Sequence, residues 1–260
     1  MIFYFLYSWL FCAVFFHIAW GITDKKKNVT SVDALWAFAI AFLSCVHAYN
    51  ADGDLSRRIL VSACISFWGF RLAFHIWRDR VLKGVEDSRY GQFRKNWGTK
   101  ARRNFWFVFQ IQALTVVAFA AALWPSFVSK ESFGSWLDFL GIFIWAISIS
   151  GEALADRQLK EFKSKKTGKT MQSGLWKYSR HPNYFFEWIH WFAYICWAWG
   201  SGWEALACLG PLLMLWLLTK VSGIPGTEEQ SLRSRGDEYR DYQRRTSAFI
   251  PWVPRKGGSS

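Results

Sequence analysis

The chain alternates between long apolar runs and short polar connectors. Residues 2–22, IFYFLYSWLFCAVFFHIAWGI, contain no Asp, Glu, Lys or Arg over 21 positions. About 20 apolar residues suffice to cross the hydrocarbon of a bilayer as a helix. A secretory signal is the competing reading of this run. It has no basic segment before it, exceeds the usual hydrophobic length, and is followed by no small-x-small cleavage site. Further apolar runs lie at 34–50, 59–77, 104–124, 135–155, 183–199 and 203–221. The pattern predicts an all-α polytopic membrane bundle of seven transmembrane helices. No repeat or Gly/Ser linker divides it, so one domain over 1–260 is expected, with 255–260 a frayed end or an added tag.

Charge in the connectors gives an independent check. Segments 23–33, 78–103, 156–182 and 220–260 hold 3, 9, 8 and 8 Lys/Arg, whereas 51–58, 125–134 and 200–202 hold 2, 1 and 0. Basic and poor connectors alternate, as seven crossings with a cytoplasmic C-terminus require. The net charge of +13 is then mostly topology, and a nucleic-acid partner is not expected. The chain has 18 tryptophans and is 52% apolar, more large rings than a soluble core of this size would hold. The composition also excludes disordered, collagenous and disulfide-scaffold classes. All five cysteines fall within predicted spans without CxxC or Cys/His spacing, so they read as small buried residues and no metal site is expected.

Ionisable groups at membrane depth are costly and point to function or to an interface. Arg71, His75 and Arg78 recur at i, i+4, i+7 on one helical face. Asn183, Glu187 and His190 do the same, Glu152, Asp156 and Lys163 form another stripe, and Asp33 sits at the entrance of the second run. The predicted topology turns all four groups toward the basic side, describing a polar cavity open to the cytosol. Against that stands a plain alternative for each: terminal Arg and Lys snorkel to headgroups, and His190 serves as a hydrogen-bonded bundle histidine. The connectors add EDSRYGQFR at 86–94 and Tyr178, Arg180 and His181 ahead of Pro182. A proline in the first turn opens a helix whose free N–H groups favour an anion. No GxGxxG or GxxxxGK[ST] occurs, so any nucleotide is held without a Rossmann fold or P-loop.

GLWKYSRHPNYFFE at 174–187 resembles the signature of the membrane family that includes steroid 5-alpha-reductases and their DUF1295-type bacterial relatives. The same order of blocks is met in VDALW at 32–36, WGFRLAFHIWRDR at 68–80, EDSRY at 86–90, EALADRQLKEFK at 152–163 and the tail from Gly226 to Trp252. The resemblance implies a seven-helix bundle that binds NADPH from the cytosolic side. It also implies reduction of a carbon–carbon double bond conjugated to a carbonyl in a steroid-like or other lipid. By position, Asp156, Lys163, Tyr178, Arg180, Asn183 and Glu187 would contact the cofactor. His181 beside Arg180 and Arg78, Arg89, Tyr90 and Arg94 in the third connector are further candidates. His75 matches the tyrosine that holds the substrate carbonyl in steroid reductases. It would donate to the enone oxygen, with Asp33 orienting it.

Two departures stand out. The glutamine-glutamate pair of the second span is not visible here, and Phe186 replaces a common glycine, which would reshape or narrow the nicotinamide end. An S-adenosylmethionine-dependent membrane methyltransferase of the isoprenylcysteine or phospholipid type shares RHPxY and would suit Glu228-Glu229. Asn183 with Glu187 is the reductase pairing that separates the two. A non-catalytic lipid-binding protein is the third reading. No obligate protein partner is evident, and either a bacterial inner membrane or an ER-type membrane fits, with the active site facing the cytosol.

Overall fold

The computed structural model describes residues 2–84, 86–166 and 168–255; of Ile2 only the backbone is described, and the GGSS end lies outside this range. Among the described residues the chain is helical, with one isolated parallel bridge, Ser179 to Ser247. Six helical stretches are long and apolar enough to cross a membrane: Phe3–Lys25, Ser31–Asn50, Leu55–Val81, Ser88–Val128, Trp136–Ser164 and Glu204–Arg235. The protein is therefore a multi-pass membrane protein. The apolar run predicted at 183–199 is not one of the six. It folds as two short helices broken at His190, whose carbonyl takes the Ala193 N–H at 3.1 Å, an i+3 turn tighter than α-helical.

The chain groups into two compact units, Met1–Ser135 with Trp197–Gly210, and Trp136–Cys196 with Pro211–Ser260. The first contains α1 (Ile2–Lys25), α2 (Ser31–Asn50), α3 (Leu55–Ile76), α4 (Ser88–Trp97) and α5 (Ala101–Val128). A π-helical turn, Trp77–Val81, extends α3. Helices α2 and α3 approach closely because the seam is made of small residues. A β-carbon on Gly69 would lie 2.8 Å from both the Ala37 carbonyl and the Ala41 methyl. Without a hydrophobic force between helices in lipid, such backbone-close packing supplies the attraction. Trp68, Phe105, Phe109 and Phe119 fill the interior of this unit, while Phe3, Leu10, Val14, Ile18 and Ile22 leave one face of α1 exposed and apolar.

The second unit contains α6 (Trp136–Ser164), α7 (Pro182–Ile189) and α8 (Trp191–Trp197). After α9 (Glu204–Ala207), which belongs to the first unit, come α10 (Leu209–Trp216), α11 (Ile224–Arg235) and α12 (Asp237–Arg245). A second π-helical turn, Leu217–Val221, follows α10. Helix α12 is polar but one-sided: Tyr239 and Tyr242, three apart, are both buried. Tyr242 donates to the carbonyls of Trp176 and Ser179, and Trp176 donates its indole N–H to Ala155 O at 3.0 Å. The tail then returns as a strap, with Arg180 N–H to Ser247 O at 2.8 Å and Trp252 N–H to Tyr178 O at 2.9 Å. The loop 173–181 is thus clamped from both sides before α7 begins.

Candidate functional site

The predicted site residues fall into two groups, one in each unit. In the first unit, carboxylates and cations pair off. Asp33 on α2 accepts from the Arg89 guanidinium at 2.8 Å and from the Tyr90 hydroxyl at 2.6 Å. Asp87 caps α4 through the Arg89 N–H at 3.0 Å and also holds the Arg89 and Arg80 side chains. Arg94 is taken by Glu86 through two bonds of 3.0 and 2.7 Å. Asp87 N–H to Thr30 Oγ1 and Val29 N–H to Glu86 tie the α1–α2 loop to this cluster. Burial alone would raise the Asp87 carboxyl; the hydrogen bonds and charge of Arg89, with Arg80 behind, hold it below the usual carboxylate range.

Two groups expected at the site are paired within the chain. Asp33 is taken up by Arg89 and Tyr90, while His75 Nδ1 lies 3.3 Å from Asp79 on its own helical face, with Arg78 also on Asp79 at 2.8 Å. Arg89, Tyr90 and Arg94, expected as cofactor contacts, are occupied by internal carboxylates. The sequence displays these groups but not all their partners, which range from Asp87, two residues from Arg89, to Asp33, 57 residues from Tyr90.

The second unit leaves polar capacity unspent. A cavity of about 210 Å3 opens between the end of α6, the loop after it, α11 and α12. Lys163, Lys166, Lys169, Arg180 and Arg235 line it, together with Thr170, Ser231, Tyr239 and Tyr242, and no acid is among its described lining residues. Arg180 is 9% exposed and fixed in orientation. Its Nε donates to Glu228 at 2.6 Å, and Nη1 to the carbonyls of Gln243 and Thr246 at 3.0 and 2.5 Å. Nη2 has no protein partner among the described residues. Glu228 is itself held by Gln243 at 2.8 Å and lies 3.3 Å from His181 Nε2. The Thr170 hydroxyl is buried without a partner, although its backbone N–H is satisfied by Glu238 at 2.8 Å. Burial pushes the Tyr239 hydroxyl up to about 12 and that of Tyr242 higher, so both remain neutral donors at physiological pH.

In the same unit, Asn183 at the start of α7 donates to Asp156 on α6 at 3.1 Å, and its amide oxygen is buried without a partner. Glu152, Glu187 and His190 are also buried, with His190 Nε2 3.8 Å from Glu187. Tyr178 is 42% exposed. Phe186 does not stand alone in its space: a β-carbon on Gly151 would lie 2.5 Å from its ring. The large residue on α7 is matched by a missing side chain on α6, which leaves the Phe186 ring its space.

Thr170, Arg235, Tyr239 and Tyr242 were not among the sequence-predicted site residues. The tail offered a signal for two of them, since Tyr239 and Tyr242 are the aromatic positions of an otherwise charged helix. Orphaned buried donors and acceptors are uncommon in folded proteins. Set in a wall of five basic residues, the orphaned Thr170 hydroxyl suits a phosphorylated ligand, which supplies negative charge and acceptors.

One curated relative is "Uncharacterized protein C594.04c" of the yeast Schizosaccharomyces pombe. It is 25% identical over 273 residues, covering 90% of this chain and 76% of the relative. No solved structure matches the chain. The family described as "Protein of unknown function (DUF1295)" matches residues 19–246, and the chain belongs to that family.

Proposed function

We propose that the protein is an NADPH-dependent oxidoreductase that reduces a carbon–carbon double bond conjugated to a carbonyl in a lipid. The observation that carries this reading is the cavity of the second unit, with five basic residues and no acid in its described lining and with the buried, partnerless Thr170 hydroxyl. At about 210 Å3 it suits the phosphate-bearing end of a nucleotide rather than the whole dinucleotide. Arg235, Lys163 and Lys169 would neutralise the phosphates, and the Arg180 fork, pre-set by Glu228, would present its remaining edge. The Asn183 amide oxygen would accept from the carboxamide of the nicotinamide. When bound, NADPH supplies the hydride.

In this reading, His75 donates to the substrate oxygen as negative charge develops there, with Asp79 as its neighbour. Asp33 then acts as a scaffold residue through Arg89 and Tyr90, and solvent provides the final proton. The excess of Lys and Arg in the connector 156–182, which carries much of this cavity, supports a cofactor side that faces the cytosol. The membrane setting and the resemblance of the sequence motifs to steroid reductases support a lipid substrate.

Thermal unfolding of the full chain in detergent tests the cofactor. NADPH at about 100 times its Kd adds roughly 2.7 kcal/mol of apparent stability. The expected result is a clear rise in Tm with NADPH, a smaller one with NADH, and none with S-adenosylmethionine. A rise with S-adenosylmethionine alone, or with none of the three, contradicts the proposal.

A further inference from the structure

A second concavity lies wholly in the first unit and serves none of the roles above. It is a groove of about 560 Å3 running beside the last three turns of α1, the start of α2 and the π-helical turn after α3. Phe15, Ile18, Ile22, Leu35, Trp77 and Val81 form its walls. Several of these are outward-facing, with Ile18 57%, Ile22 53% and Trp77 44% exposed. One end is polar, formed by Lys26, Asn28 and Ser31. The groove is therefore apolar along its length and cationic at its mouth.

The two ends of the groove differ in what they can still bind. Asn28 is occupied: its amide donates to Gly84 O at 3.2 Å and accepts the Thr30 N–H at 3.1 Å, which fixes the mouth. Thr23 is satisfied by the carbonyls of Ala19 and Trp20. Lys26 is exposed and stands between Lys25 and Lys27, while the nearby Asp24 is paired with Arg102 at 3.1 Å. The mouth thus carries the exposed Lys25, Lys26 and Lys27, with the adjacent Asp24 paired elsewhere. The π-helical turn widens the end of α3 and sets Trp77 into the wall; such turns recur at functional sites. The volume lies within the roughly 300–1,000 Å3 of small-molecule sites.

We propose that this groove holds one anionic glycerophospholipid as a resident lipid, its phosphate at Lys26 and Ser31 and an acyl chain along Ile18, Ile22 and Trp77. Charge complementarity selects the occupant. The lysine-rich connector marks the leaflet where anionic lipids concentrate, and each nearby lysine contributes about a five-fold preference for them. A purely apolar occupant leaves the lysines unused, and a soluble anion leaves the apolar walls unused. The proposal is independent of the redox reading.

Mass spectrometry of the full chain, purified in mild detergent and exchanged into equal amounts of phosphatidylglycerol and phosphatidylcholine, tests it. The wild type is expected to retain about one phosphatidylglycerol at several-fold preference, with no displacement by glycerol phosphate. Lys26→Gln should lower the preference about five-fold while some lipid is still retained, and Ile22→Trp, which fills the groove from an exposed position, should retain neither lipid. Equal retention of both lipids by the wild type, unchanged preference in Lys26→Gln, or full retention in Ile22→Trp overturns the proposal. So does chemical conversion of the retained lipid on adding NADPH, which would make it a substrate.

Discussion

The two charged clusters are built from the same residue types and end in opposite states. Around Asp33, Asp87 and Glu86 in the first unit, each carboxylate accepts from at least one arginine, and Arg89, Arg94 and Tyr90 all point inward. Around Thr170 in the second unit, five basic residues line a cavity whose described wall contains no acid, and the buried Thr170 hydroxyl has no partner. A saturated network fixes a loop against a helix, and its members are spent. An unsaturated one stores charge and hydrogen bonds that only a ligand can complete. The difference marks out a scaffold from a candidate binding site where residue type alone cannot.

Breaking the closed network should cost stability more than binding. Replacing Asp33 by Ala removes the shared acceptor of Arg89 and Tyr90, and because Asp33 is only 20% exposed the loss should be about 2–3 kcal/mol. Chemical or thermal unfolding in detergent measures this, and NADPH affinity per folded molecule should stay unchanged. An equal fall in affinity would place Asp33 in the binding site after all.

Next in size is the fit between α6 and α7. Gly151→Ala sets a methyl against the Phe186 ring and should cost about 1–3 kcal/mol by overpacking. Combining it with Phe186→Leu should recover most of that loss, so a double-mutant cycle reads the coupling directly. Additive losses would show that the two positions do not share the space.

The open network should respond the other way round. Thr170→Val removes a hydroxyl that has no partner in the free protein, so Tm should stay level or rise slightly. NADPH affinity should fall about 3- to 10-fold, as one lost hydrogen bond of about 1 kcal/mol implies. A lower Tm with unchanged affinity would mark Thr170 as structural.

The smallest effect is a pH dependence at Asp87. Its carboxyl is held below its ordinary value of 3.8 in the folded chain, so it contributes stability at pH above that value. That contribution is lost as pH falls from about 4 through the lower folded value. Asp87→Asn should flatten this acid limb of the stability curve and leave the neutral region nearly parallel to the wild type.

Much of the fold was legible in the sequence because a membrane span needs an apolar run of fixed length. The stretches at 2–22, 34–50, 59–77, 104–124 and 135–155 all lie in helices long enough to cross. The run at 183–199 has the composition but not the continuity; its break at His190 is a backbone event that hydropathy does not register. The site was legible in kind rather than in membership. Spacing marked Arg180, Asn183 and Asp156, and the structure joins Asn183 to Asp156. Arg89, Tyr90 and Arg94 looked equally available, yet Glu86 and Asp87 of their own segment and Asp33 from α2 take them up, and pairing is a three-dimensional property. Thr170 escaped notice because a threonine in a lysine-rich loop looks solvated until burial isolates its hydroxyl.

The central claim is that the acid-free cavity of the second unit takes the phosphates of NADPH, and Arg235 tests it most directly. Arg235 lines the cavity and has no ion-pair or hydrogen-bond partner among the described residues, so Arg235→Gln should leave folding intact. NADPH titration followed by energy transfer from the protein's tryptophans should give a Kd about 10- to 30-fold weaker in the variant, the loss of one charge-assisted contact. NADPH binding of equal strength in the two proteins, or no binding in the wild type, would contradict the account.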